Sequence, residues 1–106
     1  EIEKLGFTYR WLKFKDETRS YIKQNCLRAL ELDDTQRPSL VASCLSYIIC
    51  VELPRDMWPE SMNILFEYLK NQTSSEITRI SVLEIIGSIF HEIGVKKINE
   101  LHSIRF

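Results

Sequence analysis

Three prolines, Pro38, Pro54 and Pro59, punctuate a chain whose apolar residues recur at every third and fourth position. That pairing of a helical period with helix-stopping residues governs what the chain can fold into. Strict strand-like alternation of apolar and polar residues is absent. Tyr21, Ile22, Cys26, Leu27 and Leu30 form a stripe behind Asp16 and Glu17, whose carboxylates suit the positive end of a helix dipole, so a helix is expected over 16–31. Asp33-Asp34-Thr35-Gln36-Arg37 is a polar connection closed by Pro38, a residue preorganised for the first position of a helix. Val41, Ala42, Leu45, Ile48, Ile49 and Leu53 then carry the period up to Pro54, which predicts a helix over 38–53. Asp56 is placed to cap a third helix over 56–70, with Trp58-Pro59-Glu60 in its first turn and Met62, Leu65, Phe66 and Leu69 on its buried face. Thr73-x-x-Glu76 has the spacing of a capping box and opens a fourth helix over 75–93, running through Ile77, Ile80, Leu83, Ile86, Gly87 and Ile93, with Gly94 as its C-cap.

The spacing of these helices carries the fold. From Asp16 to Met57 is 41 positions and from Pro38 to Glu76 is 38. A period near 40 built of two antiparallel helices is the signature of HEAT-type repeats, where each pair leaves an apolar side that only the neighbouring pair covers. The expected fold is all-α, an alpha-alpha superhelix. Residues 1–15 would end a preceding repeat and connect it, 16–53 and 54–94 would be two repeats, and 95–106 would begin a following helix or form a tail. An ordinary four-helix bundle is the alternative that periodicity leaves open. Two pairs fall short of the roughly three repeats usually needed for stability, so the 106 residues read as a cut through a longer solenoid, held by neighbours or an assembly partner.

Charge and cysteine content narrow the function classes. Fourteen Lys and Arg against fifteen Asp and Glu leave a net charge of −1, without the basic excess of a dedicated nucleic-acid binder. Residues 1–28 hold seven basic and four acidic side chains, 29–75 three and seven, and 76–106 four and four. Each excess is interrupted by apolar residues, as on solvated helix faces. No run approaches the roughly 18 apolar residues of a membrane span and Glu1-Ile2-Glu3-Lys4 does not open a signal peptide, so a soluble, intracellular protein is expected. Cys26, Cys44 and Cys50 are odd in number, and the last two, six apart on a helix, diverge by about 120°, so reduced structural thiols are expected and no metal or cofactor. Asn71-Gln72-Thr73 matches a glycosylation sequon and is read as an unmodified loop.

Arg37-Pro38-Ser39, then Cys44, Ile48, Cys50, Glu52, Pro54 and Trp58-Pro59-Glu60, resemble the second-to-third repeat junction of the importin-beta (karyopherin-beta) family of nuclear transport receptors. Ser81, Leu83-Glu84, Ile86-Gly87 and Ile89 are similar to that family's Ser-x-Leu-Glu-x-Ile-Gly-x-Ile stretch, and Arg10-Trp11-Leu12 to its Arg-Trp-Leu ahead of the second repeat. The register runs without a gap from Arg10 to Ile93, while Val95 to Phe106 does not follow the family's next repeat clearly. The resemblance implies a non-enzymatic receptor of the cytoplasm, the nucleus and the nuclear envelope at pores. It also implies partners: the Ran GTPase in its GTP form, engaged by the concave inner helices of amino-terminal repeats, and importin-alpha or import cargo and nucleoporins through other repeats of the parent protein. A HEAT-repeat scaffold subunit of another intracellular complex is the alternative function.

Candidate binding residues come from two stripes. Ser39, Ser43, Ser46 and Cys50 recur at four, three and four, beside Tyr47, and Ser81, Glu84, Ser88 and His91 recur at three, four and three. On successive inner helices they would make a shallow polar surface fit to dock another protein. Each stripe taken alone, without the resemblance, reads as the solvated side of an amphipathic helix. Arg37, Pro38, Pro54, Trp58 and Pro59 are assigned to the repeat junction. Glu84 and His91 are two turns apart and form no acid/base dyad, and the chain lacks a Gly-rich phosphate loop and a nucleophile elbow, so no catalytic residue is expected.

Overall fold

The computed structural model describes residues 2–31 and 38–94, with side-chain environments for 6–31 and 40–94. Five helices follow one another: α1 Ile2–Lys13, α2 Asp16–Glu31, α3 Pro38–Glu52, α4 Ser61–Lys70 and α5 Glu76–Ile93. No strand occurs among the described residues.

The joints explain where each helix begins and ends. Between α1 and α2 the Arg19 guanidinium donates to the Phe14 carbonyl and the Asp16 carboxylate, so a side chain of α2 satisfies the carbonyl that α1 leaves open at its end. After α3, Pro54 lies in a short 3-10 turn, Leu53–Arg55, closed by Asp56 in the left-handed conformation at φ 56°. The Asp56 N–H donates to the Leu53 carbonyl (3.2 Å) and the Met57 N–H to that of Glu52 (3.0 Å). Asp56 therefore ends one element and does not cap the next: the helix expected over 56–70 begins at Ser61, with Trp58-Pro59-Glu60 in the preceding turn.

The capping box expected at Thr73 is displaced by two residues. Ser75 is the N-cap of α5, its Oγ accepting from the Thr78 N–H at 3.0 Å. Thr73 turns instead onto Asn71, donating to its Oδ1 through both its N–H (3.0 Å) and its hydroxyl (2.7 Å). Gly94 closes α5 as expected, at φ 94°, a conformation open chiefly to glycine, with its N–H on the Phe90 carbonyl at 2.9 Å.

Cross-helix contacts fix the layering and the directions. Lys23 of α2 lies over Trp58 at the entry to α4, and Glu31 at the end of α2 accepts from the Tyr68 hydroxyl near the end of α4 (2.7 Å), so α2 and α4 run parallel. The Thr78 hydroxyl at the start of α5 donates to the Leu30 carbonyl at the end of α2 (2.9 Å), so α5 runs against them. Phe7 meets Tyr47 and Trp11 meets Glu52, placing α1 parallel to α3. One layer thus holds α1, α3 and α5, the other α2 and α4, and the chain forms successive antiparallel pairs.

Between the layers Leu45, Ile49, Leu53, Met62, Leu65, Val82, Ile85 and Ile89 are almost wholly excluded from water. Burial of one such side chain contributes about 1.5–3 kcal/mol. The expected face of α5 is rotated. Its buried side is Thr78, Ser81, Val82, Ile85, Ile86 and Ile89, whereas Ile80 and Leu83 are 49% and 57% exposed. Tyr21, expected in the stripe of α2, is also exposed. The predicted segment 95–106 and the Asp33-Asp34 connection lie outside the described residues.

Candidate functional site

Side-by-side packing of α1, α3 and α5 leaves a groove of about 600 Å³, lined by residues of these three helices and Pro54. Its floor is α3, through Ala42, Ser43, Ser46, Tyr47, Cys50 and Val51, and Pro54 closes one end. Phe7 and Thr8 of α1 form one wall, and Glu84, Ser88, Glu92 and Ile93 of α5 the other.

Five of the eight predicted contact residues meet here: Ser43, Ser46, Tyr47, Glu84 and Ser88. Tyr47 is 48% exposed, with its ring centroid 5.6 Å from that of Phe7. Ser46 reaches the groove but is largely buried, and its hydroxyl is spent on the Ala42 carbonyl one turn back (2.8 Å). Ser81 departs from expectation: only 4% exposed, it faces the core and not the groove, a consequence of the rotation of α5. His91 is exposed but does not line the groove. The side chains of Ser39 and Pro38, and all of Arg37, lie outside the described residues, while the backbone of Pro38 opens α3. Trp58 is buried, and Pro54 and Pro59 stand at the turn between α3 and α4.

The groove has an electrical sense. Among the described residues that line it, Glu84 and Glu92 of the α5 wall are the ones that carry a formal charge. The opposite side is aromatic. Such a surface, half open and lined by short hydroxyls and two rings, suits docking of another macromolecule more than enclosure of a small molecule.

Behind the groove lies an arrangement that sequence reasoning missed. Glu52 is fully buried; one carboxylate oxygen accepts from the Trp11 indole N–H (2.8 Å) and the other from Lys23 Nζ (2.7 Å), with Arg19 Nε 3.8 Å from the first. Lys23 Nζ also stands 4.7 Å from the Trp58 ring centroid, a cation–π contact. The Trp11 ring stacks on Phe7 (6.1 Å, 13°), and Phe7 backs Tyr47. A buried carboxylate thereby holds an indole, the indole holds Phe7, and Phe7 holds the groove's aromatic rim. The one signal in the sequence was an acidic residue inside the apolar run Ile48-Ile49-Cys50-Val51-Glu52-Leu53.

Two groups away from the groove are displaced from their ordinary acidity. Burial, and then the nearby Cys44 thiol, push the Cys26 thiol up. Burial and the hydrogen bond to Glu31 push the Tyr68 phenol well above the usual range. Among the described residues no three His, Cys, Asp or Glu side chains gather as a metal site, and no helix is long and apolar enough to cross a membrane.

No protein-family model matches the chain, and no solved structure matches it. Importin subunit beta-1 of Saccharomyces cerevisiae is similar to it, with 29% identity over 80 residues, covering 74% of this chain and 9% of the yeast protein. The chain thus spans less than a tenth of the length of this curated relative. The similarity is distant and stands beside an all-helical array of antiparallel pairs.

Proposed function

We propose that this chain is a HEAT-repeat segment of an importin-beta-like nuclear transport receptor, and that it docks a Ran-class GTPase in its GTP form through the groove between α1, α3 and α5. In this reading 16–53 and 54–94 are two repeats, 1–15 closes the repeat before them, and the chain binds without catalysing. Ser43, Tyr47, Glu84 and Ser88 carry the contact; Ser39 and His91 extend it along the same helices. Ser81 and Ser46 serve the fold more than the partner. Importin-alpha, import cargo and nucleoporins would be engaged by other repeats of the parent receptor, which would shuttle between cytoplasm and nucleus through pores.

The observation that carries this reading is convergence. Five of the eight residues predicted from two separate stripes line one groove of the α1, α3 and α5 layer, in a chain similar to a yeast importin subunit. The test is capture of Ran, loaded with a non-hydrolysable GTP analogue or with GDP, by the immobilised chain and by its Glu84→Arg and Ser43→Arg variants. Retention of the GTP form alone, weakened at least tenfold by either substitution with helicity unchanged, is the expected result. Equal retention of both forms, or of neither, refutes the reading and leaves the scaffold alternative.

A further inference from the structure

The spacing Thr73-x-x-Glu76 makes no capping box, because Ser75 takes the N-cap of α5. What it leaves is a hydroxyl followed three positions later by a carboxylate, the pattern that a kinase with a basic substrate groove selects by charge. Thr73, ahead of Glu76, and Ser81, ahead of Glu84, are the two Ser or Thr residues of the chain with an acidic residue at that position. The fold separates them. Ser81 is 4% exposed in the middle of α5, closed to an enzyme. Thr73 stands in the loop that joins α4 to α5, where Asn71, Gln72 and Thr73 are all exposed, and Glu76 is exposed at the first position of α5. The Thr73 hydroxyl donates to Asn71 Oδ1 (2.7 Å), a contact between two solvent-facing side chains that costs little to open.

A receiver for a phosphate stands one turn into α5. Arg79 Nη2 donates to the Asn71 carbonyl (3.0 Å), which brings the guanidinium beside the residue that Thr73 is bonded to. Arg79 Nε is buried and has no hydrogen-bond partner, an unusual state for a charged donor. A guanidinium fork matches the oxygens of a phosphate, which would occupy more of its donors than a single carbonyl does.

We propose that Thr73 is a phosphorylation site for an acidophilic serine/threonine protein kinase, and that Arg79 turns to hold the phosphate. In the transfer the Thr73 hydroxyl gives its proton to the kinase's general base and Oγ1 bonds to the γ-phosphorus of ATP. The bond from that phosphorus to its bridging oxygen breaks, and ADP leaves. The first turn of α5 loosens to present Glu76 to the kinase. The phosphothreonine, with a charge of about −1.5 to −2 at pH 7, gives up the hydroxyl contact to Asn71 and gains Arg79. The inference rests on the loop and is independent of the groove and of the transport reading.

Incubation of the whole chain with ATP and an acidophilic kinase, read by mass spectrometry of the intact chain and its fragments, tests the site. One phosphate, on Thr73, is expected. Thr73→Val is expected to take none and Glu76→Gln about tenfold less, each with wild-type helicity. No incorporation, a phosphate on Ser74, Ser75 or elsewhere, or undiminished incorporation in Glu76→Gln overturns the proposal. Phosphorus NMR tests the receiver. The second ionisation of the phosphate, at about pH 6 when unpaired, is expected at a lower pH in the wild type than in Arg79→Gln, since both keep Lys70 and Glu76 near the loop. Arg79→Met replaces that variant should it lose helicity. Equal titration in the two chains overturns the role given to Arg79.

Discussion

Replacing Glu52 by glutamine keeps the size of the side chain and an oxygen for the Trp11 indole but removes the charge that Lys23 and Arg19 face. The carboxylate is fully buried, 2.7 Å from Lys23 Nζ and 3.8 Å from Arg19 Nε. Removing one partner of a buried ion pair costs roughly 3–5 kcal/mol, because the remaining charge stays desolvated. Here two features reduce that figure: the cation side chains keep 12% and 13% exposure, so water relieves part of the penalty, and glutamine preserves the indole hydrogen bond. The expected loss is about 2–4 kcal/mol, a fall in Tm on the order of 10 °C or more for a domain of this size. Urea unfolding followed by circular dichroism measures it. In the double variant with Lys23→Met the losses should be less than additive, by about 1–3 kcal/mol, since the partner left unpaired is gone. A loss under about 0.5 kcal/mol for Glu52→Gln, or strict additivity in the cycle, would refute the buried network.

The rotation of α5 predicts that Ile85→Ala costs about 2–5 kcal/mol while Leu83→Ala, assayed in dilute solution, stays within about 0.5 kcal/mol; equal losses in urea unfolding would restore the periodicity-based face. The N-cap assignment predicts a loss of about 1 kcal/mol for Ser75→Ala and a smaller one for Thr73→Ala, read from the same transitions. Cys26, its thiol pushed up by burial and then by Cys44, holds less thiolate at a given pH and should react with Ellman's reagent more slowly than exposed Cys44. Its rate should climb at a higher pH than an ordinary thiol's, and Cys44→Ser, by removing the lesser cause, should shift that climb only slightly downward.

Much of the helical order is legible in the sequence because local chemistry and tertiary packing agree there. Asp16 with Glu17 marks one start, Pro38 another, and Gly94 one stop, each for a reason confined to a single turn. The reading fails where two local rules compete. Asp56 followed by Trp58-Pro59-Glu60 satisfies the chemistry of a first helical turn, yet the backbone is committed to closing the turn after Pro54, which consumes Asp56 in a left-handed conformation. It fails again on α5, whose isoleucines, leucine and valine occupy nearly every side. In stacked pairs a helix carries two apolar faces, one for its own core and one for the next pair, so period alone cannot tell Ile85 from Leu83.

The site follows the same division. Ser43, Tyr47, Glu84 and Ser88 share a groove because both stripes lie on helices of one layer, and a stripe is a local property. Glu52, Trp11, Lys23, Arg19 and Trp58 meet only because α1, α2, α3 and the entry to α4 converge, and no window along the chain contains that cluster. The groove's aromatic rim depends on it through Trp11 and Phe7.

Amide chemical shifts of the isotopically labelled chain, recorded while Ran loaded with a GTP analogue or with GDP is added, test the central claim most directly. Perturbations at Ser43, Tyr47, Glu84 and Ser88 with the GTP form, and none with the GDP form, are the predicted result. Perturbations centred on α2 and α4, or identical for the two nucleotide states, would contradict it.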